Sequence, residues 1–322
     1  MKLLNGAELA GYIKERHSRD VRRLKQSGIQ PKLAIVQVKD DPAINTYVRL
    51  KRQYGSDIGI EVEVYTPTQK SAPEVINKLN ADKSVHGIIV QLPLNDPSDT
   101  EKIVNLVAPE KDIDALGNPD APWTPHSSAT QGASEQRTET YKASTSKEQP
   151  QLATKRSAET VGGVHGFAGQ QTNGVRGSWF EPATPMAIMW LLSGYNIDLA
   201  GKKILLVGRG KLVGAPLEKI LKTAGHKVLV ARKGDDLMAM AKESEVIITA
   251  TSSPGVLTSQ MINPGTVVVD AGVAGEEGKT VGDVDPDVYE RDDITITPQK
   301  GGVGPLTVCA LFENVIRAAQ VK

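Results

Sequence analysis

The sequence predicts an α/β protein of two domains, and three observations carry that prediction. Short apolar runs alternate with stretches of helical period over most of the chain, the pattern of a parallel sheet with crossover helices. At 322 residues the chain is long enough for two domains with separate cores. Between Lys202 and Lys233 the pattern sharpens into one complete strand, glycine turn, helix and strand: KKILLVGRGKLVGAPLEKILKTAGHKVLVARK. The rear half is therefore expected to be a Rossmann-type doubly wound sheet, and the front half a second α/β domain.

At the front, residues 7–27 have the period of an amphipathic helix (Leu9, Ile13, Val21, Leu24), closed by Gly28 and Pro31. Lys32 to Val38 reads as a strand, and the loop Lys39-Asp40-Asp41-Pro42 opens a helix carrying Asn45, Tyr47 and Lys51. Strands follow at Glu61–Tyr65 and Gly87–Gln91, with a helix near Pro73–Leu79 between them. Pro93 stops the second strand and leaves Gln91 at its carboxyl end, where parallel sheets bind their ligands. Thr100–Val107 reads as a helix and KDIDALG as a polar loop.

From Thr124 to about Thr160 large apolar residues almost vanish. Such a stretch buries too little surface to offset its ordering entropy. Residues 124–178, including the glycine-rich run Gly162–Gly177, are read as an inserted, flexible segment. A helix resumes with Thr184 as N-cap and Pro185 as its first residue. After Lys233 come a helix at Asp235–Lys242 and strands at Glu245–Ala250, Thr266–Asp270 and Ile294–Thr297. A last helix, Leu306–Val321, crosses back to the front. The expected division is 1–123 with 306–322, the insertion, and 179–305.

The glycine unit carries the first functional signal. Ile204–Val207 is apolar throughout, as in a strand buried on both faces. Gly208, Gly210 and Gly214 follow it, then a helix stopped by Gly225 and a strand at Val228–Val230. Glycines there let the backbone approach a pyrophosphate, and the helix N-terminus favours its charge. An NAD site places an acid at the end of the second strand. Here Arg232 and Lys233 stand instead, with Arg209 in the turn. Cations suit a 2′-phosphate, so NADP is the expected cofactor, with NAD as the alternative. The competing account is that the pair only solvates a strand end.

Composition excludes several classes. Lysine plus arginine equals aspartate plus glutamate, 38 each, so no overall field draws the chain to nucleic acid or a membrane. The single cysteine, Cys309, excludes internal disulfides and thiolate zinc, and its apolar helical setting suits core packing. The five histidines show no ligand spacing, so no metal is expected. The N-terminus lacks an apolar signal core and no run reaches the ~18 residues of a membrane span. A soluble, cytoplasmic protein is expected.

Tyr47 and Lys51 lie four apart on one helix face, where their side chains can meet. A lysine held in a desolvated cleft has its pKa lowered and can act as acid or base. The same spacing also serves merely to cover a helix flank. Gln91, with Asp112 and Asp114 around Ile113, could offer an amide and a carboxylate to the edge of a heterocycle. Turn capping competes for the two aspartates.

The stretches DDPAINTYVRLKRQYGSDIGIE, GIIVQLPL, PEKDIDALG, TPMAIMWLLSGYNIDLAGKKILLVGRGKLVGAP, VVVDAG with GKTVGDVD, and TPQKGGVGPLTVCALFENV occur in that order. Together they resemble the bifunctional methylenetetrahydrofolate dehydrogenase/cyclohydrolase family, over most of the chain outside residues 118–178. The resemblance implies hydride transfer from 5,10-methylenetetrahydrofolate to NADP, then ring opening by water to 10-formyltetrahydrofolate, in the one-carbon metabolism that serves purine biosynthesis. Lys51 is then the general acid/base, Tyr47 contacts the folate and helps position Lys51, Gln91 tunes the protonation of Lys51, and Asp114 holds the pterin edge. Leu92, Pro305, Leu306 and Thr307 would border the folate. Gly208, Arg209, Gly210, Gly214, Arg232 and Val273 would contact the cofactor. A homodimer acting on tetrahydrofolate derivatives is implied, joined through the cofactor domain.

The chain departs from the family pattern at several positions. Gly210 and Arg232 each stand where a serine is usual, an exchange of hydroxyls for a guanidinium. Ala115 replaces a glycine, a mild change if the backbone tolerates a Cβ. Gln299 and Lys300 replace more apolar residues, and the insertion is the largest departure. Two other readings stay open: a folate- or nucleotide-binding protein with reduced turnover, and an NADP oxidoreductase of shikimate dehydrogenase type.

Overall fold

The computed structural model describes residues 1–117, 180–272, 274–276 and 279–321. The insertion read at 124–178, its Gly162–Gly177 run and the implied cofactor residue Val273 lie outside the described residues.

The chain opens with β1 (Lys2–Leu3) and α1 (Gly6–Gln26), whose N-cap Asn5 accepts the Glu8 N–H at 3.2 Å. The front domain follows as β2 (Lys32–Gln37), α2 (Pro42–Ile58), β3 (Glu61–Tyr65), α3 (Ala72–Ala81), β4 (Gly87–Gln91) and the short α4 (Thr100–Val104). Its three strands pair in parallel in the order β3-β2-β4, with Gln37 beside Gln91 at the carboxyl edge. Crossover helices force that parallel pairing, and the runs LAIV and GIIV are buried on both faces as a result.

The rear domain runs through α5 (Ala183–Gly194), β5 (Ile204–Val207), α6 (Gly214–Thr223), β6 (Val228–Ala231), α7 (Leu237–Lys242), β7 (Val246–Thr249) and β8 (Val267–Asp270). It continues with a hairpin, β9 (Ala274–Glu276) and β10 (Lys279–Val281), then β11 (Thr295–Ile296) and α8 (Val303–Gln320). Its parallel sheet has the order β1-β11-β8-β7-β5-β6. The chain leaves β5 to one side for β6 and returns to its other side for β7. That reversal opens a crevice at the carboxyl ends of β5 and β7, the place such sheets bind ligands.

The two domains share a helical spine. In α1, Ala10 and Ile13 enter the rear core while Val21 and Leu24 enter the front core. In α5, Ala183 and Met186 pack forward and Ile188, Leu191 and Leu192 rearward. In α8, Val303, Leu306 and Cys309 pack rearward, and Phe312, Val315 and Ile316 forward. Burial on most sides explains why α5 is apolar almost all round.

Several boundaries differ from expectation. Helix α5 starts at Ala183, so Thr184 is inside its first turn rather than its cap, and Pro185 is tolerated where no N–H is needed. For the same reason α8 begins at Val303 and takes in Pro305. Strand β1, two residues long, joins the rear sheet through Lys2 beside Thr295.

Candidate active site

The spine and the two carboxyl edges enclose a cleft of about 1320 Å³. Tyr47, Lys51, Gln91, Leu92 and Asp114 line its front; Gly210–Val213, Ala250–Ser252 and Asp270–Gly272 line its rear. Pro305 and Thr307 border it from α8.

Helix α2 aims the front group. Asp41 caps it, accepting Ala43 N–H at 2.9 Å, and Pro42 supplies a preset first residue. Gln37 on β2 donates to Asn45 Oδ1 at 2.7 Å, which ties the first turn to the sheet. One and two turns later, Tyr47 stands 39% exposed at the mouth and Lys51 is buried. Lys51 Nζ donates to Gln91 Oε1 at 2.7 Å. Gln91 spends its own amide N–H on Leu92 O at 3.1 Å, so its oxygen must face the lysine. Burial lowers the Lys51 pKa, opposed by the charge of Asp114; burial raises Asp114, opposed by Lys51. Burial therefore loosens the proton on Lys51 and favours one on Asp114, pushing both groups toward their neutral forms.

The loop bearing Asp114 is anchored by Lys111, which local pattern did not single out, and by Asp112, which takes the turn-capping role. Lys111 buries its ammonium at the carboxyl end of α3, donating to Leu79 O, Asn80 O and Asp82 O at 2.9, 2.8 and 2.6 Å. A cation there also meets the negative end of the helix dipole. Asp112 closes the turn by accepting Gly117 N–H at 2.8 Å and Leu116 N–H at 3.4 Å. Ala115 holds φ at 53°, the left-handed region, so its methyl sits where glycine is favoured by roughly 1 kcal/mol. The replacement is a strained one.

Asp112 has a pH signature of its own. Burial pushes its pKa up to about 6; the Gly117 N–H bond resists and Asp114 adds to the rise. A folded value above the unfolded 3.8 means stability is lost as pH climbs from about 4 through about 6, by about 3 kcal/mol in all. Asp112→Asn is expected to remove that loss, so urea denaturation should show the variant gaining on the wild type between pH 4 and 7. An equal gap at both ends of the range would count against the raised carboxylate.

The rear wall has the form of a dinucleotide cradle. Gly208 adopts φ 93°, and a Cβ there would stand 2.7 Å from Ala250 O. A Cβ on Gly214 would come within 2.3 Å of Gly208 O, so helix and turn touch backbone to backbone. A Cβ on Gly210 meets nothing within 4 Å and would face open space. No side chain caps α6; its Ala215 N–H is taken by Gly210 O at 3.0 Å and Pro216 carries none, so the turn itself closes the helix start. Of the described residues implied for the cofactor, Gly210 alone lines the cleft. Gly208 and Gly214 shape the turn beneath it, Arg209 is held by Glu218 Oε2 at 2.5 Å, and Arg232 is exposed just past the end of β6.

One implied folate residue is placed elsewhere. Leu306 is fully buried in the rear core, beside Cys309. The cleft-lining residues Gly304, Thr307, Val308 and Leu311 recur at three and four positions along α8, a stripe that leaves Leu306 on the opposite side. Among the described residues no cluster could hold a metal ion, and no helix is long and apolar enough to cross a membrane.

Residues 4–114 match the catalytic domain of tetrahydrofolate dehydrogenase/cyclohydrolase, and residues 182–322 match its NAD(P)-binding domain. The chain belongs to the tetrahydrofolate dehydrogenase/cyclohydrolase family. The FolD bifunctional protein of Nautilia profundicola is 31% identical over 99% of this chain and 98% of its own. That of Campylobacter jejuni strain RM1221 is 33% identical, over 99% of each chain. A crystal structure of the bifunctional FolD enzyme from C. jejuni superposes with a TM-score of 0.78 at 32% identity, covering 100% of this chain and 99% of that one. This tetrahydrofolate dehydrogenase/cyclohydrolase is thus a bifunctional enzyme of one-carbon metabolism with an NAD(P)-binding rear domain. The shikimate dehydrogenase-type reading falls away.

Proposed function

We propose that the cleft oxidises 5,10-methylenetetrahydrofolate with NADP and hydrolyses the methenyl product to 10-formyltetrahydrofolate, with Lys51 as the proton-transfer group. The observation that carries this is the Lys51 Nζ–Gln91 Oε1 contact beside Asp114, in one cavity with the glycine turn. NADP, when bound, accepts the hydride. Lys51 does the rest of the bond chemistry. With its ammonium destabilised by burial, it is a base that takes a proton from water attacking the methenyl carbon. As the carbon–N5 bond breaks, the same amine returns a proton to N5, and one proton is released overall. A neutral amine also avoids placing a second cation beside the methenyl cation as hydride departs. Asp114 and Gln91 offer an acceptor and an amide to the pterin edge, and Tyr47 offers a ring face at the mouth.

Arg232, exposed past the end of β6, favours NADP over NAD by charge, while Arg209 is paired with Glu218. By family resemblance the enzyme is read as a cytoplasmic homodimer. The test is NADP and NAD reduction with methylenetetrahydrofolate, beside hydrolysis of methenyltetrahydrofolate, by the purified protein. Absence of both activities would overturn the reading. Gly210 supplies a finer check, since its Cβ position is open and its φ is not left-handed. Gly210→Ser should fold normally and add a hydroxyl donor, lowering the KM for NADP by roughly 3- to 10-fold. An unchanged KM would remove Gly210 from the cofactor contact.

A further inference from the structure

Three loops leave the carboxyl ends of rear strands to form the far wall of the cleft: Ala250–Ser253 after β7, Asp270–Gly272 at the end of β8, and Gly282–Val284 after β10. Two aspartates knit them together. Asp270 Oδ1 accepts Gly272 N–H at 3.0 Å, Asp283 N–H at 3.1 Å and the Thr249 hydroxyl at 3.1 Å. Its Oδ2 accepts Val284 N–H at 3.2 Å. Asp283, with no exposed surface, accepts Thr251 N–H at 2.6 Å through Oδ2 and Ser253 N–H at 3.3 Å through Oδ1.

The fit is reciprocal. A Cβ on Gly272 would stand 2.0 Å from Asp283 Cγ, and one on Gly282 would stand 2.0 Å from Asp270 Oδ2. Each carboxylate thus fills the space left by a missing side chain on the other's loop. Enclosing two like charges is costly, and it raises Asp283: burial comes first, the Thr251 N–H bond resists, and Asp270 adds to the rise. A hydrophobic pair would close the same gap at no such cost. It could not accept five backbone N–H groups.

We propose that Asp270 and Asp283 are positioning residues for the dinucleotide, a crossed pair that fixes the backbones of Thr251–Ser252 and Ala271–Gly272 where the half of the cofactor nearer the folate must rest. The glycine turn after β5 and the adenosine end at β6 lie to one side of β7; the loop after β8 lies to the other, with the loop after β7 between them. The proposal rests on the reading of this wall as the cofactor face.

The cyclohydrolase step needs no dinucleotide, which separates positioning from general structural damage. In the full-length enzyme, Asp283→Asn loses one acceptor and should raise the Kd and KM for NADP roughly 10- to 100-fold. Hydrolysis of methenyltetrahydrofolate should stay within about twofold. Amide exchange at Thr251 and Ser253 should quicken. Gly272→Ala keeps the carboxylate but drives a methyl into it, and should give the same signature. Unchanged NADP binding in both folded variants overturns the proposal, and so does an equal fall in both activities. Gly210→Trp, which fills the cleft beside the glycine turn, tells the two failures apart. If it blocks NADP while Asp283→Asn does not, only the positioning role falls; if neither affects NADP, the cofactor-face reading falls.

Discussion

Lys51→Met is expected to lower methenyltetrahydrofolate hydrolysis by roughly 10³-fold or more while the protein stays folded, because the step loses its proton-transfer group. Methionine fills a similar volume in the buried site, and Gln91 keeps its bond to Leu92 O. Hydride departure needs no proton transfer, so the dehydrogenase should fall by no more than roughly tenfold. The pH profile supplies the sign. Burial lowers the lysine pKa, so wild-type hydrolysis should rise with pH and level off well below the ordinary 10.5, as the amine loses its proton. In Lys51→Met that limb should disappear. Hydrolysis near the wild-type rate would remove Lys51 from the reaction, and Asp114 would become the next base to test.

How much of this site could be read from residues alone depends on where the partners lie in the chain. Strands β3, β4 and β5 were legible residue by residue, because apolar runs bounded by turn residues have few other uses. Tyr47 and Lys51 were legible as neighbours on one helix. Their meeting with Gln91 was not, since 40 residues separate Lys51 from it and only the family resemblance joined them. Lys111 read as one more charge in a polar loop, but the carbonyls that hold it come from α3, about 30 residues earlier. Asp270 and Asp283 lay inside recognised stretches, yet their crossed fit depends on two loops meeting in space. The spine was legible only in the last helix, which was expected to cross back to the front. Periodicity shows that α1, α5 and α8 have apolar faces, but not that each face is divided between two cores.

Glu313→Gln is expected to cost about 3 kcal/mol of stability at pH 7, from a site that never touches the folate. Glu313 lies midway along α8, where Oε2 accepts from Arg16 at 2.6 Å and stands 2.9 Å from His17 Nε2, while Oε1 accepts from Arg317 at 3.3 Å. Burial alone would raise its pKa. The His17 bond, then Arg16, His17 and Arg317 as charges, outweigh it and hold the carboxyl at about 2, against 4.5 unfolded. A depressed folded value contributes stability above pH 4.5 and loses it as pH falls toward 2. The gap between wild type and variant in urea should therefore narrow from pH 7 to pH 3; a constant gap would mean that packing, not charge, sets the effect. His17 passes the network to Tyr54 at 3.0 Å, on α2 one turn beyond Lys51. Loosening it should raise the KM for the folate through α2 and leave the pH limb of hydrolysis in place. Lys51→Met should do the reverse, abolishing the limb with stability held. If the two variants gave the same signature, the division between a spine that places the cleft and a lysine that works in it would not survive.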